Sequence, residues 1–90
     1  MKSVKRAIDQ YNRYRSPEAT AKIFKIREGT LTVEFSGPFC ETCGVYDWFE
    51  DLKYELEAID QRLQATITQI QRRKSGAYTV LFSIMENLEE

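Results

Sequence analysis

Apolar residues near the start of the chain fall at Val4, Ala7, Ile8, Tyr11 and Tyr14. Steps of three and four put them on one face of a helix. Ser3 stands where an N-cap belongs, and Ser16-Pro17 ends the helix, because the residue before proline is pushed out of the helical region. Residues 19–27 read as a strand, with Phe24 and Ile26 on one face and Ala21 and Ile23 on the other. Arg27-Glu28-Gly29-Thr30 is a turn. Leu31, Val33 and Phe35 then alternate with Thr32, Glu34 and Ser36, the pattern of a strand with one dry and one wet face. Gly37-Pro38 breaks it. A second helix carries an apolar stripe through Val45, Trp48, Phe49, Leu52, Leu56, Ile59 and Leu63. Residues 65–72 form a third strand without a clear register, since Ile67 and Ile70 fall on opposite faces of a regular strand. Residues 77–85 form a fourth, with Tyr78, Val80, Phe82 and Ile84 on one side.

The order is therefore α-β-β-α-β-β. Two hairpins make a four-stranded antiparallel sheet, and both helices cover one of its faces. This is an α+β two-layer sandwich. Residues 1–90 form a single domain with a polar tail at 86–90, near the lower end of comfortable domain size.

Composition narrows the chemistry. The chain is 42% hydrophobic and 30% charged, as globular domains are. No histidine is present, which removes imidazole bases and ligands, and with them Ser–His–Asp and Cys–His catalysis. No apolar run is long enough to span a bilayer, and Met1-Lys2-Ser3-Val4-Lys5-Arg6 lacks the apolar core of a signal peptide. The expected place is the cytoplasm. An enzyme is not the expected class.

Net charge is −1, unevenly spread. Residues 1–27 carry eight Lys and Arg against Asp9 and Glu18, whereas residues 41–60 carry seven acids against Lys53. A dipolar surface follows, suited to phosphate on its basic side or to pairing between copies in a homodimer or complex. It fits two oppositely charged solvated faces equally well.

Cys40 and Cys43 stand between a strand and a helix. Their spacing aims both sulfurs at one point, and a following helix N-terminus favours thiolates. A metal site, an iron–sulfur cluster and a thiol redox pair all suit such an arrangement. So does a corner packed with two small buried side chains. Zinc needs four ligands, so a closed Cys-only site requires a second copy of the chain.

The stretch Leu31-Thr32-Val33-Glu34-Phe35-Ser36-Gly37-Pro38-Phe39-Cys40-Glu41-Thr42-Cys43 followed by a helix resembles the C-terminal domain of NifU-type iron–sulfur scaffolds. That resemblance implies a cluster held by Cys40 and Cys43 and shared between subunits. The whole chain resembles a small archaeal αββαββ protein family, which implies no activity. In element order alone it is also similar to type II KH-like RNA-binding proteins and to ribosome-binding factor A. The corresponding alternative is a nucleic-acid or ribosome-associated domain using Arg13, Arg15, Lys22, Lys25, Arg72, Arg73 and Lys74, with Arg27 beside them on the first strand. Arg and Tyr together grip phosphate and stack on bases. The core face of the first helix also accounts for Tyr11 and Tyr14, and the helix dipole for the cations at its end.

Overall fold

The computed structural model describes residues 2–38 and 45–86. The chain runs α1 (Lys2–Arg15), β1 (Thr20–Arg27), β2 (Thr30–Ser36), α2 (Val45–Ile59), β3 (Leu63–Arg72) and β4 (Tyr78–Glu86). The expected α+β order is present. One antiparallel sheet holds the strands in the order β1-β2-β4-β3, so β2 and β4 are central and β1 and β3 are edges.

Alternation in β2 and β4 decides which sheet face is dry. Leu31, Val33 and Phe35 pair with Phe82, Val80 and Tyr78. Val4, Ala7, Ile8 and Tyr11 of α1 and Phe49, Leu52 and Leu56 of α2 share the buried cluster with that face. Both helices therefore cover one side, leaving the other open. Phe35 sits at the centre, with ring centroids 5.6 Å from Tyr11 and 4.9 Å from Phe49.

Several local expectations change. Tyr14 is 68% exposed and leaves the core stripe, one residue before the end of α1. Ser3 lies inside the first turn of α1, and its hydroxyl reaches Asp60 at 3.5 Å. α2 stops at Ile59, where Asp60 accepts a hydrogen bond from the Arg62 N–H, so Leu63 opens β3 instead of extending the helix.

Each edge strand contains a bulge. Ile23 pairs with Val33 and Lys25 with Thr32, leaving Phe24 as the extra residue. Ile67 pairs with Phe82 and Gln69 with Leu81, leaving Thr68. An extra residue reverses the face of everything after it. Ala21, Ile23 and Ile26 thus share the helix side, and Ile67 and Ile70 share it too. Helix side chains also close the start of each edge. The Asn12 amide donates to the Ala21 carbonyl at 2.9 Å and accepts from its N–H at 2.7 Å. Glu57 accepts from the Ala65 N–H at 3.1 Å. Such plugs and bulges blunt edges that otherwise pair with other chains.

Candidate anion-binding face

The bulge in β1 assembles the site. In a regular strand Lys22 and Lys25 point to opposite faces. With Phe24 inserted, Lys22, Lys25 and Arg27 pair with Glu34, Thr32 and Thr30, all on the open side of the sheet. Successive cations are on the order of 7 Å apart along the strand. All three are exposed, and among the described residues none makes a salt bridge. Glu34, in register with Lys22, puts a carboxylate on this face.

At the β3–β4 turn, Arg72, Arg73, Lys74, Ser75 and Gln71 line a trough of about 570 Å³ together with Glu34. Arg73 and Lys74 are exposed. Arg72 pairs with Tyr78 on the helix side, its guanidinium 5.6 Å from the Tyr78 ring centroid. The far end of the open face thus carries a second group of positive charge.

The other expected cations separate from this site. Arg15 is half-buried between the helices, with Nε 3.4 Å from Asp51 and Nη1 3.0 Å from Glu55. It also stacks over Tyr11 at 4.7 Å, which makes it a clamp between α1 and α2. Arg13 is exposed on α1, 5.8 Å over Tyr14. Sequence reasoning overlooked the polar centre of the sheet as part of a site. Thr32, Gln69, Gln71 and Thr79 line a shallow depression with Leu81. The signal in the sequence is the alternation of Thr32 with Glu34 in β2 and of Gln69 with Gln71 in β3.

Cys40 and Cys43 lie outside the described residues. What frames them is described. β2 ends at Ser36, and α2 begins at Val45. Gly37 has φ 126°, and a Cβ there would overlap the Glu18 carbonyl oxygen and lie 2.9 Å from that of Pro17. The chain therefore leaves β2 in tight contact with the α1–β1 connection, where only glycine fits. Among the described residues no group of three or more His, Cys, Asp or Glu is placed to hold a metal ion, and no helix is long and apolar enough to cross a membrane.

Comparison with protein-family models, with curated proteins and with solved structures finds no match for this chain. The likenesses to NifU-type scaffolds, to the archaeal family and to KH-like proteins gain no support from these comparisons.

Proposed function

We propose that this chain is a small non-enzymatic binding domain that takes the phosphate backbone of a nucleic acid on the open face of its sheet. The alignment of Lys22, Lys25 and Arg27 by the β1 bulge carries this reading. Among the described residues those cations have no ion-pair partner to account for them, whereas Arg15 does. Spaced, exposed cations along a strand suit a polymer with regularly spaced phosphates, and neutralising them releases counterions. The acids of α2 are on the helix layer, so an overall pI near 5.5 leaves this face positive.

Fluorescence anisotropy with a labelled RNA oligonucleotide tests it. Binding should weaken steeply between about 50 and 200 mM salt. The Lys22→Ala/Lys25→Ala/Arg27→Ala variant should lower the log–log salt slope by about 1 for each cation removed. Arg13→Ala should leave the slope unchanged. Wild-type binding that is absent at low salt, or a triple variant that binds like wild type, overturns the reading.

A second reading concerns Cys40 and Cys43. The end of β2 at Ser36 and the start of α2 at Val45 support it, because both cysteines fall in sequence between that strand and a helix N-terminus, which favours thiolates. An iron–sulfur cluster or zinc shared between two copies is the corresponding cofactor. Anaerobic reconstitution with iron and sulfide should give a visible absorption band that Cys40→Ser loses. A wild-type protein that stays colourless and takes up no zinc rejects this reading.

A further inference from the structure

The strand register shows what lies between the two cationic groups. Across the open face run three rows: Lys22–Glu34–Thr79–Gln71, Lys25–Thr32–Leu81–Gln69 and Arg27–Thr30–Ser83–Thr66. Positive charge occupies the β1 end of each row. Hydroxyls and amides fill most of the remainder, and no aromatic ring stands in any row.

This pattern discriminates among nucleic acids. Single strands are gripped largely by stacking successive bases on several aromatic rings, at about 1–3 kcal/mol per base; the rows provide none, and exposed Phe24 in the β1 bulge is a single ring at the sheet edge. The sheet is about 14 Å wide from β1 to β3, at roughly 4.8 Å per strand. The minor groove of B-DNA is about 6 Å wide, and its major groove, at about 12 Å, admits a two-stranded ribbon. A four-stranded face enters neither. The minor groove of duplex RNA is wide and shallow and displays 2′-hydroxyls. A threonine hydroxyl both donates to and accepts from such a group, as does a glutamine amide.

We propose, building on the phosphate-binding reading above, that the ligand is duplex RNA, held with its minor groove against the open sheet face. Lys22, Lys25 and Arg27 contact phosphates of one strand. Arg73 and Lys74, beyond the end of β3, approach those of the other. Thr79 sits between them and, with the exposed Thr66 on the same face, meets the 2′-hydroxyls, whereas Thr32 beside it is buried.

The test compares duplex RNA, duplex DNA and single-stranded RNA of one sequence, about 16 base pairs or nucleotides long, by anisotropy at fixed salt. Duplex RNA should bind at least about tenfold tighter than either competitor, a difference of about 1.4 kcal/mol. The Thr66→Val/Thr79→Val variant keeps side-chain shape and strand propensity. It should bring duplex RNA down to the level of duplex DNA without changing the salt slope. Equal salt-dependent binding of all three probes, or tightest binding of the single strand, overturns the duplex proposal while leaving phosphate binding in place. Retained RNA preference in the double valine variant overturns the role given to the hydroxyls. No binding by any probe overturns both proposals.

Discussion

Tyr11 heads the fully buried side chains by volume, and its hydroxyl donates to the Trp48 carbonyl at 2.9 Å. Burial pushes the phenol well above its ordinary value of 10; Arg15 opposes that rise and Asp51 adds to it. A phenol whose pKa rises on folding contributes stability that is complete below pH 10 and lost as pH climbs through 10 toward the folded value. Tyr11→Phe should therefore cost about 0.5–1.5 kcal/mol at neutral pH and flatten the alkaline loss of stability. Urea unfolding of both proteins at about pH 7 and about pH 11 checks this. Asp60 behaves in the opposite sense. The Arg62 N–H holds its carboxyl below the ordinary 3.8, against some desolvation, with help from the Arg62 and Ser3 side chains. Its contribution is present above about pH 4 and fades as pH falls through the lowered value. Gly37→Ala should destabilise by at least about 1–3 kcal/mol, since it adds left-handed strain to a backbone overlap. A shifted urea midpoint with unchanged slope reads that directly. The chain signals Gly37 only as a strand breaker. The close approach of Glu18 that makes it irreplaceable is a tertiary fact.

Elements show where sequence reading succeeds and where it stops. Both helices and the central strands β2 and β4 follow from periodicity, because their apolar faces are continuous, whereas β1 and β3 are legible as strands but not in their facing. The bulges do not follow from it, because an insertion is visible only against a partner strand's register. Ile67 and Ile70 looked inconsistent for that reason, and Phe24 looked like a face partner of Ile26. Phe24 is 66% exposed, so Phe24→Ala should change stability by no more than about 0.5 kcal/mol. Deleting Phe24 instead sends Lys25 toward the core and Ile26 outward. That should cost more than about 3 kcal/mol and abolish RNA binding at temperatures where the protein still folds. Thermal melts of the two variants, with anisotropy below the midpoint, separate the cases. Between the helices, Arg15→Ala should cost about 1–2 kcal/mol, the sum of two partly exposed ion pairs and a stacking contact. Only part of the loss should be mimicked by high salt.

At the scale of the whole molecule, the central strands should be the last to open. Val33 and Val80 pair between β2 and β4 and are fully buried, so their amides should exchange near the global unfolding free energy, with those of β1 and β3 well below it. Hydrogen exchange by NMR measures this, and equal protection across all four strands would contradict the arrangement. The opposing charges of residues 1–27 and 41–60 also acquire a geometry. α2 packs on β3 and carries the acids, while α1 lies over β1, whose outer face carries cations. The sequence by itself determined the element order, the α+β class, the core residues of β2, β4 and α2, and the absence of imidazole chemistry. These depend on local periodicity and composition, which a single chain displays directly. Only the tertiary structure decided that Arg15 clamps two helices while Lys22, Lys25 and Arg27 line one open face. A side chain's role there depends on strand register and on which groups lie across the fold, and an inserted residue such as Phe24 changes both without altering the local pattern.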